Sequence, residues 1–449
     1  MSKIEIKPIT RIESHGQLTM EFESDGSPKK AFFSTPVIRG FEAFLAGAPI
    51  VKIPWLASRV CGVCPVSHAV NAAKTIEKAT GIQIPETAEI LREMLVLSQL
   101  IDSHALSFVV LSLPDLIPRS NMHSIVDIKK EHPDLFQKGI TLHSLGRKMT
   151  SLLGGRNVHP ANVRVGGMGT NPLIETEFDM KTGLDDSLEI GKVFLASLKG
   201  WISEQRDLVS SLGAIKSNYM ALSDNGVVSF TKGSVRCVDA EGTEIANFAP
   251  EDYEKHLDER IEPHTYMKLP RLLTNSADDV LRVNCLARAN VNESYGTPIA
   301  DQELKELKEQ FGFPLQDSLL SHWVRLIELI YACERLKILL DNPASKGTKT
   351  SVDAQIRDGE AVGVLEAPRG TLFHHYRIQD GEIAKANLLV ATQNNGLAIN
   401  RALSQTLQTG KEQGLQQDHI VHHCEMVLRA YDPCISCSTH VVQVKEDEC

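Results

Sequence analysis

The sequence lacks several features that mark whole classes of protein. Its 449 residues carry a net charge of -10, and no run of Lys and Arg is long enough to follow a phosphate backbone. No stretch of about 18 uninterrupted apolar residues occurs, and the first residues are polar and alternating, unlike the hydrophobic segment of a signal peptide. We therefore expect a cytoplasmic protein that has no nucleic-acid partner and no membrane insertion.

Repeats, low-complexity segments and linker-like boundaries are also missing, which favours one large body over residues 1–449. Alternating apolar residues predict a β-rich N-terminal segment over 1–34, and apolar residues at helical spacing predict a mainly helical core within 85–440. The segment predictions are a buried helix over 85–113 ended by Pro114, helices over 185–212, 301–340 (interrupted near 311–314) and 388–407, and β structure over 227–246. The expected fold class is mainly α with peripheral β, an α+β fold built on a large helical bundle.

Four of the nine cysteines form two Cys-x-x-Cys pairs, Cys61-Gly-Val-Cys64 and Cys434-Ile-Ser-Cys437. A tight turn aims both sulfurs of such a pair at one point, so two pairs supply a complete set of soft metal ligands. Because 370 residues separate Cys64 from Cys434, a shared metal would lie where the two ends of a large folded body meet. The remaining cysteines show no pairing pattern, so we expect free thiols in a reducing compartment. They are Cys237, Cys285, Cys333, Cys424 and Cys449.

As chemistry alone, four thiolates allow three kinds of site: structural zinc, an iron–sulfur cluster or a catalytic transition metal. The neighbours of the two pairs favour the third kind. Arg59 precedes the first pair and His68 follows it, while Asp432 precedes the second pair and His440 follows it. Structural zinc needs no such groups, whereas polar side chains around a soft metal indicate tuning of the metal and handling of protons.

These two segments resemble the paired signatures of the nickel–iron hydrogenase large subunit. They read Arg59-Val-Cys-Gly-Val-Cys-Pro-Val-Ser-His68 and Asp432-Pro-Cys-Ile-Ser-Cys-Ser-Thr-His440. Five further segments match in order along the chain: Thr10-Arg-Ile-Glu-Ser-His15, Arg39-Gly-Phe-Glu42, Gly155-Arg-Asn-Val-His-Pro160, Glu366-Ala-Pro-Arg-Gly370 and Leu388-Leu-Val-Ala-Thr392. The resemblance spans essentially the whole chain. It implies the fold of such large subunits and the reversible heterolytic cleavage of dihydrogen into protons and electrons.

The resemblance also implies a ligand set for the metals. By position, Cys61, Cys64, Cys434 and Cys437 would bind nickel, and Cys64 and Cys437 would also bridge to an iron that carries cyanide and carbon monoxide. Cys437 would accept the proton released from dihydrogen.

Further residues match groups that handle charge around this centre. Glu13 matches the acid that relays the proton outward, and its alternative is a surface or strand-end carboxylate. Arg369 matches a guanidinium over the metals, where it polarises dihydrogen or holds a carboxylate such as Asp432; otherwise it is a turn arginine paired with Glu366. His68 either hydrogen-bonds a bridging sulfur or is a satisfied core histidine.

A second, hard metal is implied near the carboxyl end. Glu42 and His440 match its ligands, with the backbone carbonyl of Leu388 as a further candidate, and magnesium is the expected ion. Oxygen ligands suit magnesium well, although a histidine ligand is less typical of it.

The chain departs from the family pattern at two places. Ser14 stands where Gly is usual, which restricts the backbone beside Glu13. Ala391 stands where many members have Pro, while Thr392 keeps a hydroxyl able to donate to an iron cyanide. We therefore expect the pocket around the iron ligands to differ locally.

Electrons must leave through another polypeptide, because the chain has no further cysteine motif for an iron–sulfur chain and no Gly-x-Gly-x-x-Gly after a strand. The resemblance implies a small iron–sulfur subunit, together with further diaphorase-type or ferredoxin-linked subunits. The ending Ser438-Thr-His440 is similar to that of cytosolic hydrogenases that use NAD(P), a deazaflavin coenzyme or ferredoxin. Residues 441–449 look like a short form of the extension that a maturation peptidase removes in the family, and the sequence leaves open whether it is removed here.

Three alternatives remain at this point. One is a dihydrogen sensor with the same site, and another is a metal-free scaffold related to the quinone-site subunit of the respiratory complex, although retention of all four thiols argues against it. The last is a protein stapled by structural zinc, which the distance between the pairs disfavours.

Overall fold

Helices account for most of the regular structure in the computed structural model, which describes residues 2–117, 124–176, 178–274, 280–354 and 356–439. In chain order the helices are α1 Phe41–Leu45, α2 Ile53–Ala57, α3 Pro65–Thr80, α4 Glu86–Ala105, α5 Leu113–Leu116, α6 Ile125–Glu131, α7 Pro133–Gly154, α8 Met180–Glu204, α9 Arg206–Ser211, α10 Tyr253–His256, α11 Cys285–Val291, α12 Pro298–Phe311, α13 Ser321–Asp341, α14 Ala391–Asn394, α15 Gly396–Glu412, α16 Gln417–Tyr431 and α17 Ile435–Ser438. A π-helical segment, Leu106–Ser112, joins α4 to α5.

The strands form several small sheets around these helices. They are β1 Ser2–Ile6, β2 Gln17–Phe22, β3 Pro28–Ser34, β4 Val163–Arg164, β5 Gly167–Met168, β6 Asn218–Asp224, β7 Val227–Val228, β8 Ser234–Val238, β9 Glu244–Phe248, β10 Leu257–Arg260, β11 Leu269–Leu272, β12 Leu281–Arg282, β13 Gly359–Ala367, β14 Gly370–Gln379 and β15 Glu382–Leu389. The sheets run β1-β2-β3, β4-β5, β10-β11, β13-β14-β15 and β12-β6-β8-β9 with β7 on β6. All described pairings are antiparallel except the one between β12 and β6.

The centre of the core is a bundle in which α4 packs against α7 and α13, and α13 packs against α8. Nearly every α4 side chain is buried, which explains why its apolar residues are not confined to one stripe. Among the described residues, one helix, Glu86–Leu116, is long and apolar enough to cross a membrane, but 83% of its most apolar stretch is buried inside the protein. Such burial is what a core helix shows.

The expected fold class is confirmed: the chain is mostly helical, with small antiparallel sheets and a β-rich N-terminal segment. Pro114 does not end the long helix, because the π-helical segment leads into α5 and places the proline at the start of that helix, where its missing N–H is not needed. The helix predicted over 388–407 was wrong at its start, since Leu388 and Leu389 end β15. His440 and residues 441–449 lie outside the described residues, and a single body over 1–449 stays a prediction.

The two ends of the chain meet at one side of the core. Helix α3, which follows the first cysteine pair, packs against β13 and β14, and β3 packs against α15. Asn400 on α15 accepts a hydrogen bond from the Phe33 amide at 2.8 Å. These contacts place the N-terminal sheet beside the helices that lead to the second cysteine pair.

Candidate metal centre

The four motif cysteines converge at one point. Their sulfurs all lie within 4.8 Å of one another, and all four residues are buried. The Sγ atoms are 3.3 Å apart between Cys61 and Cys434, 3.2 Å between Cys64 and Cys437, and 2.9 Å between Cys434 and Cys437. Within the described parts of the chain this is the only group of three or more Cys, His, Asp or Glu side chains arranged to hold a metal.

Local backbone structure prepares the sulfurs for a cation. Cys64 precedes Pro65 at the start of α3, and the amides of Val63 and Cys64 donate to Cys61 Sγ at 3.2 and 3.0 Å. Burial alone would raise the pKa of Cys61, but hydrogen bonds from the neighbouring thiols outweigh it and hold that pKa well below its usual range. Burial and the same neighbours raise the pKa of Cys437. The Cys61 thiol therefore loses its proton easily while the Cys437 thiol keeps it, and a bound metal would displace the remaining thiol protons.

A small cavity adjoins three of the four cysteines, Cys64, Cys434 and Cys437. Its lining includes Cys64, His68, Arg369, Ala391, Thr392 and Cys437. A closed structural zinc site needs no such space, whereas a second metal that shares two of the thiolates and carries small ligands does. The donor set and the adjoining space thus fit a nickel–iron centre.

Thr392 faces this cavity and also supports the second cysteine pair. Its Oγ1 accepts a hydrogen bond from the Cys434 amide at 2.8 Å. The hydroxyl hydrogen is then left to donate elsewhere, as the sequence predicted for a hydroxyl beside the iron ligands.

Arg369 and Asp432 form a buried ion pair at the cavity. Arg369 donates from Nη2 to Asp432 Oδ1 at 3.0 Å, from Nε to the Asp432 carbonyl at 2.8 Å and from Nη1 to Ser103 Oγ at 3.3 Å. Burial works against the charge, but Asp432 and the cysteine sulfurs together raise the pKa of Arg369 above its usual value. The alternative pairing with Glu366 does not occur, because Glu366 accepts from Arg288 instead.

The Arg288 guanidinium hydrogen-bonds the backbone of the turn that carries Arg369. This guanidinium donates to both oxygens of Glu328 at 2.6 and 2.7 Å and to Glu366 at 2.8 Å. It also donates to the carbonyls of Ala367 and Pro368 at 3.1 Å each. Since these three charged side chains are fully buried, the network fixes the backbone just before the site arginine.

Glu13 lies against the second cysteine pair. Its Oε1 accepts from the Ser436 hydroxyl at 2.6 Å and its Oε2 from the Ser436 amide at 2.9 Å. Burial, with a further contribution from the nearby Cys434 sulfur, raises the pKa of Glu13 to about 7. The residue is therefore a partly buried acid beside the thiols and not a surface carboxylate.

His68 is also at the site. It is buried, lines the cavity, and its Nδ1 lies 3.1 Å from His374 Nε2. Burial lowers the pKa of His68 to about 4, so the ring is neutral near pH 7.

Two of the three residues predicted for the second metal, Glu42 and Leu388, lie in elements that pack together. Glu42 is half-buried in the first turn of α1, and α1 packs against β15, which carries Leu388. Burial and the Glu42 carboxylate raise the pKa of Tyr376, so these two side chains are near each other. His440, the third candidate, is outside the described residues.

Sequence reasoning missed four side chains that support the site. Ser436 sits inside the second Cys-x-x-Cys pair, so its position was the one available signal. Ser103 and Arg288 lie in ordinary helical sequence, and nothing in the sequence marks them. His374 stands in a His-His pair after the Arg369 turn, which is a weak signal in a chain with 16 histidines.

Two family profiles match the sequence. The profile described as nickel-dependent hydrogenase matches residues 39–133 and 228–440. A second, described as HoxL-like, matches residues 3–36. Together they cover both cysteine pairs and the segment that carries Glu13.

Full-length relatives agree with these matches. The vhc F420-non-reducing hydrogenase subunit of Methanococcus voltae is 35% identical over 460 residues, with 98% of this chain and 96% of the relative covered. NAD-reducing hydrogenase HoxS subunit beta of Cupriavidus necator is 30% identical over 463 residues, with 98% and 95% covered. A crystal structure of an NAD+-reducing NiFe hydrogenase in the H2-reduced state matches the fold with a TM-score of 0.92 at 28% identity, over 98% of this chain and 100% of that one.

Proposed function

The chain belongs to the nickel-dependent hydrogenase family and is a hydrogenase, an oxidoreductase that acts on dihydrogen; from that premise we propose that it is the catalytic subunit of an enzyme that cleaves dihydrogen heterolytically and reversibly. The observation that carries the proposal is the meeting of four cysteine sulfurs within 4.8 Å beside a small cavity. When bound there, a nickel–iron centre would supply a redox-active metal pair that polarises dihydrogen.

In this proposal all four cysteines hold nickel, and Cys64 and Cys437 also hold an iron with cyanide and carbon monoxide ligands. The choice of Cys64 and Cys437 follows the resemblance, and both residues border the cavity, as does Cys434. Thr392 offers a hydroxyl and Ala391 an apolar wall to the same space. Small diatomic ligands would fit there without charged partners beyond Arg369.

The released proton would pass from Cys437 to Glu13. The Ser436 hydroxyl connects Glu13 to the cysteine cluster, because it lies 2.6 Å from Glu13 Oε1 and 3.7 Å from Cys434 Sγ, which in turn lies 2.9 Å from Cys437 Sγ. An acid with a pKa of about 7 takes and gives up a proton with little cost near neutral pH.

Arg369 would act as a fixed cation over the reacting space. Its charge is permanent, and its pair with Asp432 holds the side chain in one place. A preorganised cation favours separation of charge in dihydrogen without moving during the reaction. His68 would contribute a hydrogen bond to the thiolates from the opposite wall.

We propose a magnesium ion bound by Glu42, the Leu388 carbonyl and His440, close to the carboxyl end. The support is the packing of α1 on β15, which brings the elements of Glu42 and Leu388 together. Removal of residues 441–449 by a maturation peptidase would leave His440 at the chain end and available as a ligand.

Electrons would leave through a small iron–sulfur subunit to a diaphorase-type or ferredoxin-linked partner in the cytoplasm. The names of relatives support a soluble carrier: one reduces NAD, and several are named for not reducing F420. We therefore propose NAD(P) or ferredoxin as the acceptor.

A metal analysis of the protein purified with its partner subunits tests the proposal. In the large subunit separated from its partners we expect about one nickel and about one iron per chain. In the complex we expect infrared bands from diatomic ligands and dye reduction that depends on dihydrogen. Zinc alone would contradict the proposal. Nickel and iron without turnover would instead support the sensor alternative.

A further inference from the structure

Three buried polar side chains run in a line from the metal cavity into the fold. His68 Nδ1 lies 3.1 Å from His374 Nε2, and His374 Nδ1 lies 2.7 Å from the Tyr376 hydroxyl. All three residues are at most 1% exposed. The line begins at His68, which lines the cavity beside Cys64 and Cys437.

The secondary structure holds this line in register. His374 and Tyr376 are two residues apart on β14, so they share one face of the strand. His68 is on α3, and Asn71, one turn later, donates to the carbonyls of Leu372 at 3.1 Å and Gly363 at 3.3 Å. These bonds fix the helix against the strands and keep the two imidazole rings in contact.

The proton positions along this line depend on one another. A hydrogen bond between two imidazole nitrogens needs one protonated and one bare nitrogen. Burial lowers the pKa of His68 to about 4 and that of His374 well below its usual value, so each ring carries one proton. The hydrogen bonds between His68 and His374 and between His374 and Tyr376 must therefore have the same donor direction, either toward the cavity or away from it.

We propose that Tyr376 and His374 are positioning residues that direct every donor of this line toward the cavity. Tyr376 donates its O–H to His374 Nδ1, His374 donates from Nε2 to His68 Nδ1, and His68 keeps its proton on Nε2. His68 thereby presents an N–H, rather than a lone pair, to the thiolate side of the site. This inference rests on the proposed function, because it concerns how the metal thiolates are hydrogen-bonded.

The charges of the site favour this direction. The cavity wall contributed by Cys64 and Cys437 is a set of sulfur acceptors, and a bare nitrogen facing it would place two lone pairs against each other. In the opposite direction the Tyr376 hydroxyl would be free to donate toward the nearby Glu42 carboxylate, so it is the sulfur acceptors at the cavity end that set the direction of the line. Loss of the tyrosine hydroxyl removes the first donor, so His374 can then take either tautomer.

The direct test reads the tautomers in the wild-type holoenzyme. Nitrogen-15 NMR of histidine-labelled protein in a diamagnetic state distinguishes protonated from bare ring nitrogens, with signals assigned by their loss in His68→Gln and His374→Gln. We expect both rings to be protonated at Nε2 and bare at Nδ1. Protonation at Nδ1 of either ring would overturn the proposal.

The second test is Tyr376→Phe, which removes one hydroxyl and keeps the ring. We expect kcat to fall about tenfold with KM for dihydrogen unchanged, the infrared bands of the iron ligands to shift, and nickel and iron content to stay as in the wild type. The matched control is Tyr253→Phe, because Tyr253 makes the same kind of bond, 3.1 Å to His375 Nδ1, on the other face of β14.

Equal effects of the two variants, or unchanged bands and kcat in Tyr376→Phe, would refute the positioning role. Either result in an otherwise active wild-type enzyme leaves the proposed function intact. Absence of nickel, iron and dihydrogen turnover in the wild type would instead remove the proposed function itself.

Discussion

Individual residues at this site make two hydrogen bonds to the same neighbour. Ser436 donates to Glu13 from both its hydroxyl and its amide, and Arg369 holds both the carboxylate and the carbonyl of Asp432. Such double bonding fixes orientation as well as distance. It keeps the acid, the cation and the thiols in place before any metal or substrate binds.

Glu13→Gln replaces one carboxylate oxygen by an amide nitrogen and so tests the proposed proton route. The amide oxygen can still accept from Ser436, but the side chain can no longer carry a proton. We expect exchange between dihydrogen and solvent protons to slow by about 10²- to 10⁴-fold, with nickel and iron content unchanged. Hydrogen–deuterium gas exchange, followed by mass spectrometry, measures this rate.

Glu23→Gln is the control, because Glu23 belongs to the same N-terminal sheet segment and forms an ion pair with Lys29, at 3.5 Å near the surface. It should keep the full exchange rate. If Glu13→Gln also kept it, Glu13 would be a structural acceptor for Ser436 and the proton would leave by another path.

Sequence motifs pointed to the candidate site residues but not to their supports. The cysteines stand out by their spacing, whereas Glu13 and Arg369 are identified by the resemblance of their segments to the family. Arg288 supports the Arg369 turn through a network whose members are far apart in sequence, and no local pattern brings Glu328 and Glu366 together. Supports of this kind become visible only when the chain is folded.

Helix packing provides a prediction at the scale of elements. Helix α7 approaches α4 so closely at Gly146 that an added Cβ would lie 2.6 Å from the Asp102 amide nitrogen. A Cβ added at Gly200 in α8 would instead point into open space, with no neighbouring heavy atom within 4 Å. We expect Gly146→Ala to destabilise the protein by about 1–3 kcal/mol through overpacking, and Gly200→Ala to stabilise it by about 0.5–1 kcal/mol through helix propensity.

Denaturant unfolding followed by circular dichroism measures both changes under the same conditions. Both variants replace Gly by Ala in a long helix. Opposite signs of the change in the free energy of unfolding therefore isolate the effect of the close contact at Gly146. Equal shifts would mean that α4 and α7 separate at little cost, contrary to the packing described above.

Elements with a strong local pattern were predictable, and those defined by distant partners were not. The hairpin of β2 and β3 and the helices α8, α12 and α13 follow from alternation, helical spacing and a break at Pro314. The sheet of β13, β14 and β15 was missed because most residues of β13 and β14 are buried, so their sequence does not alternate. Packing against α3 on one face and against β6 and its neighbours on the other explains that burial.

The whole molecule is organised around contacts between its two ends. Arg39 donates to the carbonyls of Val60 and Ser436, at 3.1 Å each, and so links the two cysteine segments directly. Glu13 adds a second link from the N-terminal segment to Ser436. A metal held by all four thiolates would join the same segments more strongly, because it binds the folded arrangement and not the unfolded chain.

Cys437→Ala tests how much of the contact between the two cysteine segments depends on the metal. We expect the variant to lose the nickel–iron centre, because two metals would share that sulfur. Amide hydrogen exchange in 61–64 and 434–438 should then become faster by about tenfold or more, while the α4, α7 and α13 bundle keeps its protection. Mass spectrometry of peptides from both segments measures the change.

Cys424→Ala is the matched control, because Cys424 is a buried free thiol away from the site. It should keep the metals and the slow exchange of both segments. If Cys437→Ala lost its metals but kept slow exchange at 434–438, Arg39, Glu13 and Arg369 would suffice to hold the carboxyl end. The protein would then form its thiol site before metal binding, and the metal would add reactivity to a fold already closed.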